Sequence, residues 1–123
     1  MIGDELRERT RRFALEVIDL CLQIGADELG RLVRRQLMRA ATGTAANHRA
    51  ASRSRSGKEF VARISVVIEE ADESEFWLDV LETRQHGPAP AVHALRQEAI
   101  ELRAIFAKAR TTASETMRNR RKI

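Results

Sequence analysis

The chain has 123 residues, 43% hydrophobic and 33% charged, with 22 Lys/Arg against 18 Asp/Glu for a formal net charge of +4. This balance fits one globular domain able to bury a core without covalent staples. A lone Cys21 excludes a disulfide framework and a Cys-rich metal site; four Phe, one Trp and no Tyr argue against base-stacking platforms; and no apolar run approaches the roughly 20 residues of a membrane span.

Gly and Pro divide the chain into four helical segments. The first spans 4–24, with Leu6, Phe13, Val17, Leu20, Cys21 and Ile24 on one face at helical spacing. Leu15, Ile18 and Leu22 form a second apolar stripe. Gly25 ends this helix, and Asp27 caps the next.

The second helix spans 28–51. Leu29, Val33, Gln36, Leu37, Ala40, Thr44 and Asn47 share its inner face, with Arg31, Arg35, Arg49 and Arg53 opposite. Its C-terminal half is rich in Ala, so a neighbouring helix can approach closely. Gly43 costs about 1 kcal/mol relative to Ala inside a helix, and close packing is the expected reason for it.

The third helix spans 56–86 and opens on Ser56-Gly57-Lys58-Glu59, which fits the S-x-x-E capping box. Phe60, Ile64, Val67, Ile68, Ala71 and Leu78 form its core stripe, while Val66, Phe76 and Val80 point elsewhere. Gly87-Pro88 is expected to stop it. The fourth helix spans 90–116 from a favourable Pro90, with Val92, Leu95, Ala99, Leu102 and Phe106 in its seam. Residues 1–117 should form the bundle and 118–123 a flexible basic tail.

The expected fold class is all-α, an antiparallel up-down four-helix bundle. The apolar stripes Leu15/Ile18/Leu22 and Val66/Phe76/Val80 exceed what one bundle core buries, so they are the candidate oligomer interface.

Charge is segregated along the sequence. Residues 29–58 hold eight Lys/Arg and no acid, whereas 59–86 hold eight acids against Arg63 and Arg84. A basic run of this kind draws polyanions or an acidic partner. Arg forks onto phosphate oxygens and releases counterions, giving salt-sensitive binding to RNA or DNA backbone. The candidate phosphate contacts are Arg31, Arg35, Arg49, Arg53, Arg55 and Lys58, with Arg118, Arg120, Arg121 and Lys122 of the tail. Ion pairing between subunits and plain solvation are the alternatives. The acids of 69–82 are most simply partners for neighbouring arginines.

A second candidate is a structural polar network of Arg39, Asn47, Glu70 and Glu73, because an Asn on an apolar face needs hydrogen-bond partners. Glu70 and Glu73 have an E-x-x-E spacing, but no Glu-x-x-His accompanies it, so neither metal nor cofactor is expected. No Ser-His-Asp order, P-loop or GxGxxG is present, and no catalytic residue is assigned; the expectation is a protein that is not an enzyme. The N-terminus is unlike a signal peptide, so a cytoplasmic location without membrane contact is expected.

Gln36-Leu37-Met38-Arg39-Ala40-Ala41-Thr42-Gly43-Thr44-Ala45-Ala46-Asn47 resembles the motif Q-L-x-R-A-A-x-S-I-x-x-N. His48-Arg49-Ala50-Ala51-Ser52-Arg53 continues it, and Glu70-Ala71-Asp72-Glu73-Ser74-Glu75-Phe76-Trp77-Leu78 resembles E-A-D-E-x-x-Y-W-L. Together they resemble a bacterial four-helix-bundle family first described in reading frames within intervening sequences of 23S rRNA genes. That family includes the accessory variability protein of diversity-generating retroelements. Gly43-Thr44 replaces Ser-Ile, His48 replaces an aromatic, and a Phe-Pro between the first two helices is missing. The resemblance implies a homopentameric barrel without catalysis. In the retroelement subgroup it implies binding of RNA and a reverse transcriptase. The function expected is therefore a non-enzymatic, RNA-binding accessory role for a homo-oligomer; the rival is a protein-interaction scaffold whose basic residues are paired between subunits.

Overall fold

A computed structural model describes residues 2–121. Its elements are α1 (Ile2–Leu22), α2 (Glu28–Ala51), α3 (Gly57–Thr83) and α4 (Ala89–Arg121), with no strand among the described residues. The protein is all-α, a bundle in which α1 packs on α2, α2 on α3 and α3 on α4, while α1 touches α4 least. Phe13, Leu20, Leu37, Ile64, Leu78, Leu81, Leu102 and Phe106 are fully buried between the four helices. Each contributes about 1.5–3 kcal/mol of apolar transfer. No helix is long and apolar enough to cross a membrane.

The caps set the boundaries. Asp27 accepts from Gly30 N at 2.8 Å and starts α2. His86 holds the same carboxylate, with Nε2 3.0 Å from Oδ1 and 3.1 Å from Oδ2 of Asp27. Ser56 Oγ accepts from Glu59 N at 3.1 Å and starts α3. The returning carboxylate of Glu59 takes the Arg55 N–H at 3.4 Å, so the capping box closes one residue early.

Three helix ends differ from the sequence expectation. α1 stops at Leu22, and its last turn tightens through Gln23 N to Leu20 O and Ile24 N to Cys21 O. α3 stops at Thr83, before Gly87-Pro88. Gln85 takes a positive φ of 52°, and His86 N and Gln85 N donate to Leu81 O and Glu82 O. That is a Schellman closure with glutamine in the position usually held by glycine. α4 continues to Arg121, so the basic segment 118–121 is helical; its cations lie at a helix C-terminus, where the macrodipole favours positive charge. Lys122, the remaining cation of that segment, lies outside the described residues.

Two glycines lie where another group comes close to the backbone. A Cβ on Gly30 would meet Gly25 O at 2.0 Å, where the α1–α2 loop folds onto α2. A Cβ on Gly43 would meet the Glu70 carboxylate at 2.9 Å.

Candidate nucleic-acid interface

The loop 52–56 joins α2 to α3 at the end of the bundle where α4 finishes. There the Met117 side chain lies 3.0 Å from the Cβ position of Gly57. Arg49, Arg53, Arg55 and Lys58 surround this corner, and Arg118, Arg120 and Arg121 follow Met117 on α4; all seven are exposed. The fold thus brings two separate stretches of basic sequence to one end. Arg31 and Arg35 belong to the opposite end, because 18 residues of α2 set Arg31 about 27 Å along the axis from Arg49. Arg31 is also engaged locally, donating to Ala26 O at 2.7 Å.

Four acids of α3, Asp72, Glu75, Asp79 and Glu82, are directed at α4. Arg96 reaches Asp79 at 3.4 Å and Glu82 at 2.7 Å, and Arg103 reaches Asp72 at 2.6 Å and Glu75 at 3.0 Å. His93 Nδ1 adds a contact to Glu82 at 2.9 Å. Glu59 is taken by Arg63 at 2.8 Å, and Arg63 also caps α2 by donating to Ala50 O at 2.7 Å. Arg9 of α1 joins α4 through Glu98 at 2.6 Å, which raises the guanidinium pKa further. Among the described residues, Arg31, Arg35, Arg49, Arg53, Arg55, Lys58, Arg118, Arg120 and Arg121 form no ion pair. The sequence pattern points to the pairing of α3 acids with arginines; which arginines depends on helix register.

Arg49 and Arg53 also line a groove of about 660 Å³ between α1 and α2. Its floor is Ala14, Leu15, Ile18, Ala45 and Ala46. Arg7 and Arg11 on the α1 side are balanced by Asp4 and Glu8. Two groups that looked unrelated in sequence, the Leu15/Ile18 stripe and Arg49/Arg53, therefore share one concavity.

The remaining interface candidates divide by exposure. Leu22 is 69% exposed, Phe76 55% and Val66 40%; Ile18 and Val80 are half-buried. Phe76 stands edge-on to Trp77, with ring centres 4.9 Å apart. Leu32, 40% exposed beside Leu29, Arg31 and Arg35, joins this set. Its outward position was readable from α2 periodicity, since it falls on the arginine face.

Asn47 Nδ2 donates to Gly43 O at 2.9 Å, within its own helix, and no hydrogen bond links it to Arg39, Glu70 or Glu73 among the described residues. The other three do meet electrostatically. Burial, then Glu73, pushes the Glu70 carboxyl above its usual range, and Arg39 opposes them. The carboxylate packs on Gly43 rather than on Asn47 because the missing Cβ leaves room there.

His48 is 6% exposed and lies against Phe106, ring centres 5.1 Å apart. Its ring packs in the core, and burial lowers its pKa. Burial also pushes the Cys21 thiol up to about 11, leaving it un-ionised near neutrality. Among the described residues no three His, Cys, Asp or Glu side chains converge as a metal site would require.

No family model matches the chain, and no curated protein matches it. Among solved structures it is similar to a protein of unknown function from the S23 ribosomal protein family of Bacteroides thetaiotaomicron. The TM-score is 0.81 at 19% identity, over 90% of this chain and 99% of that one. The likeness is one of fold: the four-helix bundle is shared across nearly the whole length of both.

Proposed function

We propose that this chain is a non-enzymatic member of the bacterial four-helix family named above and binds the phosphate backbone of structured RNA through the basic end of its bundle. The observation that carries this is the charge assignment. Arg96, Arg103, Arg63 and Arg9 take carboxylates, while the seven exposed cations from Arg49 to Arg121 at one end have none among the described residues. Unpaired Arg at an exposed corner binds phosphate with counterion release and little sequence preference. A cyclic homo-oligomer, a pentamer in our proposal, would repeat the basic end around a ring and raise avidity. The exposed Leu15, Leu22, Val66 and Phe76 supply apolar surface for such contacts.

One observation favours a second reading, a scaffold with ion pairs between subunits. Arg49 and Arg53 border an apolar groove, and the outer stripe of α3 carries exposed Glu69 and Glu73 beside Val66 and Phe76. An acidic-apolar helix face of that kind complements a basic-rimmed groove. The two readings separate in one experiment. Arg49, Arg53 and Arg55 are changed together to Glu, and RNA retention and assembly mass are both measured. Lost RNA binding at unchanged mass supports the first reading; lost mass with no RNA binding in the parent protein supports the second.

A further inference from the structure

The α3–α4 seam is built on a seven-residue repeat that changes character halfway. On α4 the repeat is Arg96, Arg103, Arg110. The facing α3 positions run antiparallel, Asp79 and Glu82 opposite Arg96, then Asp72 and Glu75 opposite Arg103. The next rung places Ser65 and Ile68 opposite Arg110. Among the described residues Arg110 Nη1 reaches only the Ser65 hydroxyl, at 3.4 Å, and that hydroxyl is itself donating to Val61 O at 2.8 Å. One repeat further, the Asp position of α3 is Lys58. The same stripe therefore reads acid, acid, neutral, basic as it approaches the basic end.

A half-buried arginine at the third rung has the geometry of a double ion pair and lacks both carboxylates. Lys58 stands about 10.5 Å further along α3, and Arg121 shares the Arg110 face of α4. Of the large exposed apolar side chains Leu15, Leu22, Leu32, Val66 and Phe76, Phe76 borders the acid rungs beside Asp72, Glu75 and Asp79, and none falls on the lower part of the stripe at Ser65 and Arg110. A protein partner needs such an anchor at the centre of its interface, whereas a phosphate chain does not.

We infer that the lower half of the α3–α4 seam is a phosphate track in which Arg110 receives a backbone phosphate of bound RNA at the place where Arg96 and Arg103 receive carboxylates. Lys58 leads into the track from the basic end, and the carboxylates of Asp72 and Glu75 close it. This rests on the RNA-binding reading above and adds a residue, a direction and a stop to it.

Ser65→Asp supplies the carboxylate that the repeat calls for, and Arg110→Gln removes the cation. Both are compared with the parent protein and the Arg49/Arg53/Arg55→Glu variant for binding of a labelled 20-nucleotide RNA hairpin across a salt series, with assembly mass and melting temperature measured alongside. The expected result is several-fold weaker binding for both single variants, a log–log salt slope reduced by about one, and no loss of melting temperature in Ser65→Asp. Parent-like affinity and slope in both single variants, with binding lost in the triple variant, would overturn the track and leave the basic-end site standing. Assembly loss in Arg110→Gln without loss of RNA affinity would overturn it in favour of a carboxylate from a second copy. Absence of hairpin binding by the parent protein would overturn both.

Discussion

The Glu70 carboxylate lies on the backbone of Gly43, where the missing Cβ leaves room for a long acidic side chain of α3. What a Cβ at Gly43 would meet is the end of a flexible chain, so Glu70 can swing toward water. Gly43→Ala should therefore gain most of the helix propensity difference, up to about 1 kcal/mol, and let the Glu70 pKa fall toward its ordinary value. Gly30→Ala meets the Gly25 carbonyl instead, which is backbone and cannot swing; about 1–3 kcal/mol should be lost. Urea titration of both variants checks the opposite signs.

Gln85 carries the left-handed turn that closes α3, at φ 52°. A side chain in that region costs about 1–2 kcal/mol, part of which glycine returns as extra freedom in the unfolded chain. Gln85→Gly should stabilise the protein by about 0.5–1 kcal/mol, read as a raised urea midpoint at unchanged slope. A lowered midpoint would show that the Gln85 side chain supports the turn in a way its backbone bonds do not explain.

His48 titrates below the ordinary histidine value because burial disfavours its charged form. A depressed folded pKa means that the unfolded chain takes the proton first. Stability is then full above about pH 6.5 and declines as pH falls below it. His48→Phe should remove this part of the decline. The loss belonging to Asp27, depressed by the Gly30 N–H and then His86, and to Glu82, depressed by His93 and Arg96, should remain nearer pH 4. Melting temperatures from pH 7.5 to 3.5 in the two proteins test the separation.

Phe76 is the exposed aromatic of α3 and touches the single Trp77. Phe76→Asp should shift the assembly toward monomer and move the Trp77 emission to longer wavelength. Light scattering that gives the parent mass for this variant would place the interface elsewhere.

The fold was legible because its signals are local. Asp27 and Ser56 cap where their side-chain chemistry says they should, and the inner faces follow a 3.6-residue period. The end of α3 was hidden because glutamine carries no signal for a left-handed turn. The basic run from 29 to 58 misled in one respect. α2 is about 36 Å long, so a contiguous stretch of sequence divides between two ends of the bundle, and Arg31 and Arg35 part from Arg49 and Arg53. The partners of the α3 acids and the incomplete rung at Arg110 depend on the register of two antiparallel helices separated by a loop. No spacing within one helix encodes that register. Asn47 stands apart from Arg39, Glu70 and Glu73 for a related reason: its Nδ2 donates four residues back on α2, which no cross-helix argument anticipates.

We propose that the seven exposed cations at one end of the bundle bind phosphate. The most direct test is the salt dependence of hairpin RNA binding by the parent protein and by the Arg49/Arg53/Arg55→Glu variant. The parent slope should be steep, log K falling by about 3–6 per tenfold rise in salt, and the variant should lose binding with helicity intact. A parent protein that fails to bind at low salt, or a variant that binds as the parent does, would contradict the proposal.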